Sequence, residues 1–305
     1  MDASVGGHVG TLLSWDDGET DQVSRFERLV ADPRFGPAAR MLARNMLDAT
    51  ESDETLAEIC KDGGRYVAAL WGIYLHVSGG LTLPRLKQIC AASGIMSPGR
   101  ARDMLNLMLH SRHIELLSAA ADGATARYTP TQTLLAAWRS HLCVALEAAS
   151  LIEPGVEVLL RRFHVPGVLE TYARLHAEGL LLAVQVTDLS SPYFRVFVQR
   201  HAGNHIVWTL VAAADDDEDF PSGRPLPVSV AAVARRFGVS RAHVKRLLDE
   251  AAREGLLSWC ESRAVQLQES ARASIRFSYA GQLVHLLIAA ARTIKERPEL
   301  AGIDA

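Results

Sequence analysis

The chain has 305 residues, 49% of them apolar, which is ample for packed cores and for roughly two domains of about 150 residues each, and excludes a disordered chain. Its formal net charge of −3 excludes a protein that coats nucleic acid indiscriminately, because such affinity grows with the number of phosphates neutralised. The apolar run at 286–291 is far shorter than the ~18 residues of a membrane helix, and residues 1–22 lack a basic stretch followed by an apolar core, so the expectation is a cytoplasmic protein without a membrane partner.

In chain order, residues 1–22 are Gly- and Asp-rich without periodicity and are expected to form a flexible N-terminus. Apolar residues then recur at helical spacing over 25–50, with breaks at Asp32-Pro33 and Phe35-Gly36-Pro37, and over 52–61, 66–77, 84–92 and 98–112. Short alternating stretches at 114–117 and 126–129 flank a polar tip around Asp122-Gly123, as paired wing strands would, and a helix over 131–150 follows. Helices at 155–163, 166–182 and 204–214 lead to an acidic, Pro- and Gly-containing loop at 215–227. Next come helices at 229–237 and 240–254, short strands at 256–259 and 264–268, and a long helix over 270–295. The fold class expected is mainly α with small β wings.

The order helix, turn, helix, strand pair, long helix thus occurs twice, with Ser97 and Ser240 standing 143 positions apart. Gly94, Ser97, Ala101, Met104 and Leu105 align with Gly238, Ser240, Val244, Leu247 and Leu248, with one residue of slack in the turn. Two copies of one unit, 23–150 and 151–300, each with extra flanking helices, account for the length better than two unrelated domains.

The second copy carries the clearer signal. Two helices joined by a short turn approach closely, which suits the small Ala234, while Gly238 permits the positive φ that ends the first helix. Ser240 is an N-cap type, and Val244, Leu247, Leu248 and Ala251 share one face of the second helix. The remaining face offers Arg241, His243, Lys245 and Arg246, with Arg235 and Arg236 from the preceding helix. Over 235–263 the bases Arg235, Arg236, Arg241, Lys245, Arg246, Arg253 and Arg263 outnumber the acids Asp249, Glu250, Glu254 and Glu261, and the bases crowd the early turns. A recognition helix has this polarity, its N-terminal residues meeting base edges while flanking cations hold phosphates.

Through A-x-x-x-G-V-S-x-x-x-V-x-x-L-L over 234–248, followed by Glu254-Gly255-Leu256-Leu257, the chain resembles the winged helix-turn-helix transcriptional regulators of bacteria, most closely the MarR-like type. The resemblance implies sequence-specific binding of double-stranded DNA, with Ser240, Arg241, His243, Lys245 and Arg246 at the major groove and Arg263 as the wing cation. It is specific over 229–268 and diffuse over 83–129. The first copy offers Arg100 and Arg102, but Gly99 has no side chain and the tip at 118–125 has no base, so this copy either grips phosphates weakly or is a scaffold.

Two copies in one chain are expected to act as a monomeric pseudo-dimer, with a homodimer as the other arrangement. Trp71, Tyr74, Trp138, Tyr172 and Trp208 fall on helices outside the recognition elements and read as core, or else as the lining of a pocket for a small-molecule effector. Cys60, Cys90, Cys143 and Cys260 form no CxxC pair, and His110/His113 and His201/His205 lack a companion HExxH pattern, so neither a metal nor a cofactor is expected. No GxSxG, Walker or GxGxxG signature is present, and a catalytic role is not expected. The alternative from another class is a tandem winged-helix interaction scaffold without sequence-specific DNA binding, which the acidic run at 215–219 favours.

Overall fold

The computed structural model describes residues 3–18, 22–118, 125–215, 219–261 and 264–302. The first element is already a departure from expectation: α1 (Ala3–Leu13) and the 3₁₀ turn Ser14–Asp16 are folded onto the body of the protein rather than forming a flexible end. Val9, Leu12 and Trp15, each three apart, are buried, and Asp16 pairs with Arg292 at 2.7 Å and with Lys295 at 2.9 Å. A stripe of only three large apolar residues among glycines is too short to show as periodicity, yet it suffices once a long partner helix is present.

Helices α2 (Gln22–Ala31) and α3 (Phe35–Ser52) are separated at Asp32-Pro33, while Phe35-Gly36-Pro37 opens α3 instead of breaking it, proline being tolerated in a first helical turn. Asp53 and Asp62 cap α4 (Glu54–Ile59) and α5 (Gly63–Val77) by accepting from Leu56 N and Arg65 N, each at 3.0 Å. Then follow α6 (Leu83–Ser93), α7 (Pro98–His110), β1 (Ile114–Ser118), β2 (Arg127–Pro130) and α8 (Gln132–Ser150). After α9 (Val156–Arg162), α10 (Val168–Val186), a single π turn at Phe194–Val198 and α11 (Gly203–Ala212) come β3 (Leu226–Pro227), α12 (Val230–Arg236) and α13 (Arg241–Arg253). The chain closes with β4 (Leu257–Trp259), β5 (Ala264–Leu267), α14 (Glu269–Glu296) and a 3₁₀ turn, Pro298–Ala301.

α7 and α13 share individual backbone features. Ser97 caps α7 through Arg100 N at 3.3 Å, and Ser240 caps α13 through His243 N at 3.1 Å. Both helices have 13 residues and end on a positive-φ residue, Arg112 (φ 54°) and Gly255 (φ 70°), after which His113 N donates to Met108 O and Leu256 N to Ala251 O. β1 pairs antiparallel with β2, and Leu81 adds a bridge to Tyr128; β4 pairs antiparallel with β5, which also pairs with β3 through Leu226 and Val265. Neither of these third strands was expected, because one or two residues cannot display an alternation.

Packing does not follow the expected division at residue 150. α3 lies against α8 and α11, and α10 lies against α5 and α14, so helices from the two stretches interleave around one continuous core. Trp71, Trp138 and Tyr172 are fully buried in that core, and Tyr74 and Trp208 pack against it half-buried. α14 buries a face running from Ala271 to Ile294, with Ala280, Ala289, Ala290 and Ala291 permitting close approach of its neighbours. Among the described residues no helix is long and apolar enough to cross a membrane.

Candidate nucleic-acid interface

The α12–α13 corner is set locally. Gly238 takes φ 61°, a conformation that side chains rarely adopt, and this lets Val239 N donate to Ala234 O at 3.0 Å as the chain reverses. Ala234 is buried in the angle between the helices. Val244, Leu247, Leu248 and Ala251 seat α13 on the core, each large side chain stabilising by about 1.5–3 kcal/mol relative to exposure.

One flank of α13 is occupied by the chain itself. His243 Nε2 donates to His201 O at 2.8 Å, and its Nδ1 faces Arg246 Nη2 at 3.4 Å. Further along this flank, Glu250 pairs with Arg200 at 3.2 Å and Glu254 with Arg195 at 3.0 Å. His243 therefore positions α13 against the segment 195–201 and is not presented to a groove, contrary to the sequence expectation. The partner responsible lies 42 residues earlier and carries no local signal.

That segment is held in turn by the first half of the chain. Ala202 N donates to Lys61 O at 2.9 Å, and the close approach there requires glycine, since a Cβ on Gly203 would lie 2.3 Å from Phe197 O. The Arg195 and Arg200 contacts were not anticipated. The only signal for them is a pair of arginines five apart, complementing glutamates four apart on one helix face.

The opposite face of α13 is open. Arg241, Lys245 and Arg253 are exposed there, with Arg235 exposed at the end of α12. Among the described residues Arg235, Arg241 and Arg253 make no side-chain hydrogen bond or ion pair, whereas Lys245 binds Asp249 at 2.6 Å across one helical turn. Ser240 spends its Oγ as the cap acceptor and keeps its hydroxyl proton for a donor role. Arg236 is turned away from this face: it pairs with Glu51 and, at 3.7 Å, with Asp48 at the end of α3. Arg253, counted among the bases but not assigned to the interface from sequence, joins the open face.

On α7, Arg100 is engaged by Asp62 at 3.2 Å, while Arg102 is exposed. Arg263 and the tip residues 119–124 lie outside the described residues, as does most of the acidic run, 216–218. Arg100 also shares a cleft of about 270 Å³ with Arg195, Gln199, Arg200, Glu250 and Glu254. The start of α7 and the second half of α13 thus border the same small cavity.

Among the described residues no cluster of histidine, cysteine and carboxylate side chains is arranged to hold a metal, and the four cysteines are free thiols. His113 and His205 are buried, and desolvation holds both below the ordinary histidine range, His205 at about 4. Compared with family models, curated proteins and solved structures, the chain matches none.

Proposed function

We propose that this protein is a sequence-specific, double-stranded-DNA-binding transcriptional regulator of the MarR-like winged-helix kind, built from two winged-helix units in tandem. α13 of the second unit enters the major groove, and the first unit is its scaffold. The observation that carries this reading is the open face of α12 and α13, where Arg235 and Arg241 flank the serine-capped N-terminus of α13 and Arg253 stands at its other end, all three exposed and without a partner among the described residues. Cations left unpaired on a rigid helix are available to phosphates and base edges without first breaking an ion pair. Arg100, Arg236 and His243, already engaged by the chain, drop out of the contact set, and Arg102 is left as the exposed arginine of α7.

Selection of bound fragments from a random-sequence duplex pool tests this. The wild-type chain is expected to enrich one short, non-palindromic motif, and Arg241→Ala with Lys245→Ala to enrich none. An unenriched wild-type pool would remove the regulator reading.

The interaction-scaffold reading has one specific observation in its favour. Leu116 and Leu117 on β1 are 54% and 59% exposed, an apolar pair where a DNA-contacting wing would carry polar or basic residues. If the scaffold reading holds, the same selection returns the input pool and Leu116→Ser with Leu117→Ser abolishes binding to the protein partner.

A further inference from the structure

We propose that the cleft lined by Arg100, Arg195, Gln199, Arg200, Glu250 and Glu254 binds a small zwitterion of the α-amino-acid type, its carboxylate on the guanidinium groups and its ammonium on Glu250 and Glu254. The cavity holds about 270 Å³, just below the range of about 300–1,000 Å³ for drug-sized ligands, which suits only a metabolite of few atoms. It lies beside the surface presented by α13 and belongs to neither helix alone.

The guanidinium groups have capacity to spare. A guanidinium carries five N–H donors, yet Arg195, Arg200 and Arg100 each reach their acid through Nη2 alone, at 3.0, 3.2 and 3.2 Å. Arg34 shows what a filled fork looks like, gripping Asp32 with two bonds, Nε at 2.9 Å and Nη2 at 2.6 Å; the three cleft arginines leave that second prong open. The three arginine side chains are 43–56% exposed, and the Gln199 carboxamide has no side-chain partner among the described residues. Planar forks with free donors converging on one cavity recognise a carboxylate in two-pronged fashion.

Charge decides between ligand classes. A simple anion on the spare guanidinium donors would sit beside the Glu250 and Glu254 carboxylates with no cation of its own to offer them. A phosphodiester backbone has the same defect, having no cation to offer the glutamates. A molecule bearing both an oxyanion and an ammonium satisfies all the groups at once.

Binding would re-partner the two ion pairs that tie the flank of α13 to the segment 195–201, which is itself anchored at Lys61. On the proposed DNA reading the ligand is therefore an effector, since it changes how the recognition helix is held. Binding itself does not rest on that reading.

The test uses the full chain without DNA. Thermal-shift and calorimetric titration with the standard α-amino acids are expected to find saturable binding of at least one. Its carboxamide and its N-acetyl derivative should each bind about tenfold more weakly or worse, the loss expected for one charge-assisted hydrogen-bonding group. Glu250→Gln with Glu254→Gln should weaken the amino acid to the level of its N-acetyl form. Arg200→Lys, which keeps charge and fold but loses the planar fork, should weaken it to the level of the carboxamide. The proposal is overturned if no amino acid binds, if either blocked derivative binds as well as its parent, or if the variants bind like wild type. A chain that binds an amino acid but no duplex keeps the cleft proposal and sinks only the DNA reading.

Discussion

The exposed cations of α12 and α13 make a quantitative prediction about salt. Arg235, Arg241 and Arg253 have no intramolecular partner among the described residues, so each can neutralise one phosphate. Each such contact contributes about 0.9 to the slope of log affinity against log salt, which is roughly a 3.5-fold loss for a fourfold rise in salt. Three contacts give a loss of about 40-fold, and Arg241→Ala reduces it to about 12-fold. Lys245 contributes less, because it must first release Asp249. Arg100→Ala and Arg236→Ala should leave the slope unchanged, since both guanidiniums are spent on Asp62 and on Glu51 and Asp48. Fluorescence anisotropy of a labelled random duplex at stepped salt concentrations measures all of these. The reasoning is refuted if Arg241→Ala keeps the wild-type slope, or if Arg236→Ala lowers it as much as Arg241→Ala does.

Other expectations concern stability. Gly203→Ala places a Cβ 2.3 Å from the Phe197 carbonyl oxygen, a backbone atom that cannot step aside, and should sharply lower the thermal midpoint. Gly281→Ala, in α14 with open space around it, should raise stability by about 0.5–1 kcal/mol, and an unchanged midpoint for Gly203→Ala would contradict the packing of the π turn. Leu248→Ala removes a fully buried side chain from beneath α13 and should cost about 2–5 kcal/mol by urea unfolding, a loss below 1 kcal/mol arguing against this seat. Burial holds His141 at about 4, His176 at about 3 and His205 at about 4, all below the ordinary 6.5. The unfolded chain therefore takes up protons first as pH falls, so stability is full above pH 6.5 and is lost toward pH 4. Each histidine accounts for about 2 kcal/mol between pH 7 and 5, and an unfolding free energy that stays flat over that interval would show these rings are not buried neutral.

The parts of the fold that were legible in the sequence are those decided within a few residues. Ala234, Gly238 and Ser240 specify the corner between α12 and α13, and Pro98 after Ser97 marks the start of α7. Weak local signals were misread: the stripe Val9, Leu12 and Trp15 becomes a helix only because α14 is there to cover it, and the two residues of β3 become a strand only by pairing with β5. The division at residue 150 likewise followed the repeat in the chain, whereas α10 and α11 find their apolar partners on α5 and α3.

The candidate interface divides in the same way. Sequence alone determined that a capped, basic helix follows a tight turn, because caps, turns and amphipathic faces depend on backbone groups and side chains close together along the chain. Only the tertiary structure decided which of those bases are free. Arg236 was claimed by Glu51, His243 by the carbonyl of His201, and Arg100 by Asp62, partners brought near by packing alone. A charge is available to a ligand only when nothing closer in space neutralises it, and closeness in space is a property of the folded chain.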